Sequence, residues 1–148
     1  MKSALLVLLA SFALTSCSDA TIRESSFGPI SVQSADVKGG MRSPSYLNAH
    51  AEDLDGSAVL VHGFLIEESE NHALWDSQDS PAGGGAARCV SVLYTKDVSR
   101  KVARMNRKSV ILSGTFKRDI TSEREVFLGL CNRSAILLNR SSQIEAVP

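Results

Sequence analysis

The spacing of apolar residues changes several times along the chain, and each change marks a new element. The first periodic stretch, "SPSYLNAHAEDL", places Leu47, Ala51 and Leu54 on one helical face. Ser43 is suited to the N-cap, and Pro44 to the first helical position. The pattern therefore predicts a short helix that ends at the following Asp-Gly pair.

Five later stretches are rich in branched and aromatic residues, which favour β-strands. They span residues 58–67, 73–76, 88–94, 109–118 and 134–138. Gly63 interrupts the first stretch and predicts a bulge or a sharp bend there. The polar stretch "SQDSPAGGG", between the second and third strands, predicts a long flexible loop.

Residues 95–108, between the third and fourth strands, return to helical spacing. Val98 and Val102 share one face, and Thr95 or Asp97 can cap the start. This stretch therefore predicts an amphipathic helix.

The order of elements is strand, strand, strand, helix, strand, strand. This is the layout of the OB-fold, whereas a β-sandwich would lack the helix and a ferredoxin-like fold would need two crossover helices. We predict a mainly-β domain over residues 43–140. It is an OB-fold-like, five-stranded Greek-key barrel with a helix between strands 3 and 4 and a short helix before strand 1. Residues 141–148 are predicted to be a C-terminal tail.

The N-terminus, "MKSALLVLLASFALTSC", has one cation and then an apolar run that is too short to span a bilayer. Its end resembles the bacterial lipobox, an apolar residue and two small residues before a cysteine. The resemblance implies that residues 1–16 are a signal peptide, and that Cys17 is linked to diacylglycerol in a bacterial membrane and then N-acylated. The alternative is a general signal with a chance cysteine. Ser18 favours the outer over the inner membrane, with the domain facing the periplasm.

Residues 17–42 mix Ser, Gly, Asp and scattered apolar residues without periodicity. They predict a lipidated cysteine followed by a flexible tether. The alternative is that residues 27–33, "FGPISVQ", add an edge strand to the domain.

Two segments carry a resemblance to a family. The first is "LDGSAVLVHGFLIEESENHALWDS", and the second begins with "SVILSGTF" and ends with "LGLCNRSAILLNR". They resemble a set of small, uncharacterised bacterial envelope lipoproteins with an OB-fold-like domain, whose pattern runs DGxxVxVxGFL, ALY, VxVxGTF and GxxxxxAI. The resemblance implies the fold and the envelope location, and it transfers no catalytic residues.

The chain has three cysteines. With Cys17 assigned to lipid, Cys89 and Cys131 remain as a pair in an oxidising compartment. The third and fifth strands of an OB barrel are parallel neighbours, and the two cysteines lie near their starts. We therefore predict a Cys89–Cys131 disulfide, and the alternative is two buried thiols.

Composition and charge narrow the possible partners. The formal net charge is zero, and aromatic residues are sparse. The predicted helix nevertheless contains "RKVARMNRK", which suits a solvated face or a contact with anionic lipid headgroups or lipopolysaccharide phosphates. The scarcity of stacking aromatics and the envelope location argue against nucleic acid.

No motif indicates catalysis. The spacings of His50, His62 and His72 match no zinc pattern, and no Ser, Cys or His lies in a triad or elbow motif. We therefore expect no metal, no cofactor and no catalytic residues.

OB barrels commonly bind ligands on strands 2 and 3, near the loops that join strands 1 and 2 and strands 4 and 5. The predicted binding surface comprises Glu67, Glu68, Glu70, Trp75, Arg118 and Arg124. We expect a lipid-anchored binding or assembly module for an envelope protein, a peptide or a glycan. The alternative is an envelope enzyme or a ligand-transport lipoprotein.

Overall fold

The computed structural model describes residues 40–69, 71–83, 85–121 and 131–147. The predicted signal peptide, Cys17 and the alternative edge strand lie outside these residues. So do the predicted binding residues Glu70 and Arg124.

Six strands and four α-helices make up the described part. The strands are β1 (Ala58–Glu68), β2 (Asn71–Trp75), β3 (Cys89–Tyr94), β4 (Lys108–Lys117), β5 (Ala135–Leu138) and β6 (Ile144–Ala146). The helices are α1 (Pro44–Ala49), α2 (Ala51–Leu54), α3 (Ser80–Gly83) and α4 (Lys96–Arg104). Short 3-10 turns occupy Ala86–Arg88 and Ser141–Gln143.

The first five strands close into a barrel. The hydrogen-bonded order is β1-β2-β3-β5-β4, and β1 also pairs with β4 to complete the ring. The pairing of β3 with β5 is parallel, whereas β1, β2 and β4 make antiparallel ladders with their neighbours. The prediction of a mainly-β, OB-like barrel with a helix between its third and fourth strands is confirmed.

Strand β1 closes the ring because it has two partners. Residues 58–65 pair with β4, and residues 64–68 pair with β2. The register with β4 is one-to-one through Gly63, so the ladder has no bulge at this glycine. A Cβ at Gly63 would instead press into the carbonyl oxygen of Trp75 and lie 2.8 Å from Leu74 Cγ. The glycine therefore permits the close approach of β1 and β2.

Alternating residues of every barrel strand fill the interior. The largest buried cluster also takes side chains from α1, α4 and β6. Its members are Leu47, Val59, Val61, Leu65, Leu74, Val90, Val92, Val98, Val102, Val110, Leu112, Phe116, Ile136, Leu138 and Ile144. The interior is thus a packed core rather than a ligand cavity.

The two ends of the barrel carry different elements. The carboxyl ends of β1, β3 and β5 lie together with α4, where Thr95 N donates to Leu138 O and Arg107 N donates to Leu65 O. The amino ends of the same strands lie with α1 and α2, where Gly56 N donates to Phe116 O. We call these the α4 end and the α1 end.

Helix α1 begins as its sequence predicts. The hydroxyl of Ser43 accepts a hydrogen bond from Tyr46 N at 3.2 Å, and Pro44 occupies the first turn. Helix α4 differs in its cap. Thr95 is the N-cap residue, but its buried hydroxyl has no partner among the described residues.

Three stretches are more ordered than their composition predicts. The expected loop at residues 77–85 contains α3, whose first residue, Ser80, is buried. The expected tail at residues 141–148 contains β6, which pairs with the exposed edge of β4 and buries Ile144. Arg42, expected in the tether, forms a parallel bridge with Val61. In each case the stretch either pairs with a barrel strand or buries a side chain against the barrel. Local composition does not reveal these contacts, because the partner residues are distant in sequence.

Candidate functional site

Two of the predicted binding residues end strand β1. Glu68 is exposed and forms an ion pair with Arg107, which lies in the turn after α4. Glu67 follows the inward-facing row of β1, and only 12% of its side chain is exposed. Of these two glutamates, Glu68 alone therefore has its carboxylate at the surface.

Trp75 lies in a closed apolar cluster and is only 2% exposed. It packs with Ala73, Cys89 and Cys131 on the side of β2 that faces away from the main core. This burial removes Trp75 from the surface on which it was expected. The prediction that Trp75 belongs to a binding surface is therefore wrong, because the residues that cover the outer face of β2 come from elsewhere in the chain.

The disulfide between Cys89 and Cys131 forms part of that cover. Their Cα atoms are 5.3 Å apart, and the bond joins residues separated by 42 positions. The predicted disulfide is confirmed. In the chain-entropy model, closing a loop of this length stabilises the fold by about 4 kcal/mol.

A polar cluster that the motif search missed lies at the α4 end. Glu67 Oε1 is 2.7 Å from His72 Nδ1 and also accepts a hydrogen bond from the hydroxyl of Tyr94. The rings of His72 and Tyr94 meet edge to face, with centroids 5.6 Å apart. In β1, β2 and β3, alternate residues face the barrel interior, and Glu67, His72 and Tyr94 occupy the next inward-facing positions beyond the apolar core. This alternation is the signal from which the sequence could have indicated the cluster.

The second oxygen of Glu67, Oε2, is buried without a hydrogen-bond partner among the described residues. The backbone N–H of Glu67 donates to Asn106 Oδ1 at 2.9 Å, which ties the cluster to the turn after α4. A carboxylate in this position holds the imidazole ring in one orientation.

The α1 end carries a groove of about 670 Å³, which is the candidate binding site. It is lined by Ala51, Glu52, Arg118, Asp119 and residues 131–133. Of the four predicted binding residues that the structure describes, Arg118 alone lines this groove. Its guanidinium lies 3.3 Å from Glu52 and is half exposed. Segments flanking residues 122–130 thus meet α2 to form the groove.

The groove mixes charges of both signs. Two hydrogen bonds from Thr121, first from its hydroxyl and then from its backbone N–H, lower the pKa of Asp119 below the ordinary value of 3.8. The positive charges of Arg133 and Arg118 lower the same pKa further. Within the described ranges, Arg133 makes no ion pair of 4.0 Å or less.

Asn48 holds the segment before β5 that lines the groove. Its amide nitrogen donates to Ala87 O at 2.9 Å and to Cys89 O at 2.8 Å, while its oxygen accepts from the hydroxyl of Ser134 at 2.7 Å. One side chain on α1 therefore connects the start of β3 to the segment before β5. The sequence offered no signal for this role, because Asn on a short helix is common and its partners are distant in sequence.

Two other features are absent from the described residues. No group of three or more His, Cys, Asp or Glu side chains there is placed to hold a metal ion. No helix in the same ranges has both the length and the apolarity to cross a membrane.

Comparison of the chain with models of protein families, with curated proteins and with solved structures found no match.

Proposed function

We propose that this chain is a lipid-anchored protein of the bacterial envelope whose OB-like barrel is a binding or assembly module. Its anchor is the lipid on Cys17, and its partner is an envelope protein, a peptide or a glycan. The observation that carries the proposal is the groove at the α1 end, which is lined by the described ends of the connection between β4 and β5.

The barrel itself favours surface binding. Its interior is filled by packed side chains, so a ligand has to bind on the outside. OB barrels commonly bind ligands near the loop between their fourth and fifth strands. Arg118 and residues 131–133 belong to the two ends of that connection. The groove's amide, guanidinium and carboxylate groups suit a polar partner.

The alternative is an envelope enzyme or a ligand-transport protein. A thiol enzyme would need a free thiol at Cys89 or Cys131, and the two form a disulfide. A transport protein for an apolar ligand would need a cavity where the core side chains lie. The binding module is therefore favoured.

The lipid anchor is tested by mass spectrometry and by labelling with a radioactive fatty acid in a bacterial host. We expect a mature chain that begins at Cys17 and carries the label. Cys17→Ala should remain unprocessed and unlabelled. An unmodified Cys17 in the wild type would contradict the anchor.

The binding module is tested by photo-crosslinking in intact cells. A photoreactive amino acid at Asn132 lies in the groove, and one at Glu145 lies on exposed β6 as the matched control. We expect a discrete adduct from position 132 that position 145 does not give, and Arg133→Glu should reduce it. Equal adducts at both positions would refute a specific site in the groove.

A further inference from the structure

Helix α4 and the turn after it concentrate positive charge at one end of a barrel whose chain has no net charge. Residues 96–108 hold six of the 16 Lys and Arg residues and a single acid, Asp97. The polar cluster of Glu67 beneath this helix contributes no exposed anion, because its side chain is nearly buried.

Three of the cations form one row on the helix. Val98 and Val102 are buried in the core, which determines the face that α4 turns inward. Lys96, Arg100 and Arg104 are four residues apart and all exposed, so they lie along the opposite face. At 1.5 Å per residue the row is about 12 Å long.

The row is not neutralised by the described part of the protein. Arg107 forms an ion pair with Glu68. Lys96, Arg100 and Arg104 form no ion pair of 4.0 Å or less with any residue that the structure describes. A row of exposed cations on a rigid helix is suited to a flat anionic surface.

We propose that the outer face of α4 docks against the anionic phospholipid headgroups of the membrane that carries the anchor. This inference rests on the proposed lipid at Cys17, which keeps the barrel near that surface. The headgroup phosphates would neutralise the cationic row, while the anchor supplies the membrane affinity itself.

Docking through α4 would also orient the groove. The helix and the groove lie at opposite ends of β1, which at about 3.3 Å per residue is over 30 Å long. With α4 against the headgroups, the α1 end faces away from the bilayer and towards a partner in the compartment.

The chemistry of the helix favours lipid over nucleic acid. Proteins that bind single strands combine cations with aromatic side chains on which bases stack. Residues 96–108 contain no Phe, Tyr or Trp. The row supplies charge without a stacking platform, which is sufficient for headgroups.

The test uses the full lipidated chain, reconstituted into vesicles of neutral phosphatidylcholine or of phosphatidylcholine mixed with anionic phosphatidylglycerol. A fluorescent donor is attached to Ala103→Cys on the outer face of α4, or to Asp53→Cys on α2 at the opposite end; both positions are exposed. Labelling without reductant spares the disulfide. Energy transfer to an acceptor on the lipid headgroups reports which end lies near the bilayer.

On anionic vesicles we expect more transfer from position 103 than from position 53. The difference should disappear on neutral vesicles and in about 1 M salt, where the Debye length is about 3 Å. Equal transfer from the two positions on anionic vesicles would overturn the proposal.

A charge-neutral variant tests the row itself. Each cation near an anionic surface contributes about fivefold to docking, so combining Lys96→Gln, Arg100→Gln and Arg104→Gln should weaken docking about 100-fold. Glutamine keeps the helix propensity.

The matched control removes the same charge away from α4, through Arg42→Gln, Arg88→Gln and Lys117→Gln, and should change docking by less than about threefold. Equal loss in both variants would refute a specific role for the row.

Two further outcomes separate the explanations. Flotation of the protein with neutral vesicles depends on the anchor alone, so a protein that does not float would contradict the proposed lipid on Cys17. The comparison of the probes at positions 103 and 53 tests the docking of α4 separately. The α4 face could instead bind a single-stranded oligonucleotide more tightly than phosphatidylglycerol vesicles at the same phosphate concentration. That result would assign the face to nucleic acid and overturn the proposal.

Discussion

Replacing Gly63 with alanine tests how the barrel closes. At this position β1 changes from pairing with β4 alone to pairing with β2 as well. The added Cβ would lie 2.8 Å from Leu74 Cγ and even closer to the carbonyl oxygen of Trp75. Side chains can rotate away, but the carbonyl belongs to the backbone of β2. Relief therefore requires β1 and β2 to separate.

The expected cost follows from that geometry. Overpacking a well-packed interior destabilises proteins by about 1–3 kcal/mol, and contact with a backbone atom places Gly63→Ala near the upper limit. For a domain of about 100 residues, a loss of about 3 kcal/mol lowers the Tm by about 12 °C or more. Urea and thermal unfolding of the oxidised protein, followed by circular dichroism, measure both quantities.

Gly85→Ala is the matched control. This glycine has φ −70°, which alanine adopts readily, and an added Cβ would meet no atom within 4 Å. We expect its free energy of unfolding to change by less than about 0.5 kcal/mol. If Gly63→Ala is as mild as this control, β1 and β2 do not approach each other as described.

Three further predictions concern the α1 end. Replacing both Cys89 and Cys131 with alanine should lower the free energy of unfolding by about 4 kcal/mol, and a loss below about 1 kcal/mol would argue against the loop-closure explanation. Asn48→Ala removes three hydrogen bonds and should cost about 2–3 kcal/mol in urea unfolding; an unchanged midpoint would mean that the bonds do not form. An NMR titration should give Asp119 a pKa below 3.8, and Thr121→Ala should raise it. Because the folded pKa is lowered, any stability from this carboxylate is present above pH 3.8 and lost as the pH falls through the folded value, so a pKa at or above 3.8 would be contrary.

The barrel was predictable because its signals are local and repeated. Val110, Leu112 and Phe116 alternate along β4, and each is buried. Such alternation specifies which face of a strand is buried, and the return to helical spacing at Val98 and Val102 specifies the helix between strands. With the order of elements known, the parallel pairing of β3 and β5 followed, and with it the disulfide.

The candidate site was less predictable because its parts are distant in sequence. Arg118 was selected from its loop, but Glu52 and Arg133 join it only through folding. Trp75 is predicted to belong to the binding surface of strands 2 and 3, but Cys131, which is distant in sequence, packs against it. The sequence does not indicate which distant segment packs against the outer face of a given strand.

Residue patterns within one or two turns predicted the strand and helix periods and the basic segment "RKVARMNRK" of α4, and the order of elements predicted the cysteine pair. Only the paired strands reveal that Ile144 completes the core, that Asn48 joins α1 to the start of β3 and to the segment before β5, and that Cys131 packs against Trp75. Each of these contacts is made with a strand edge, a part of the core or a polar group that belongs to a distant segment. These parts come together only after the barrel strands have paired.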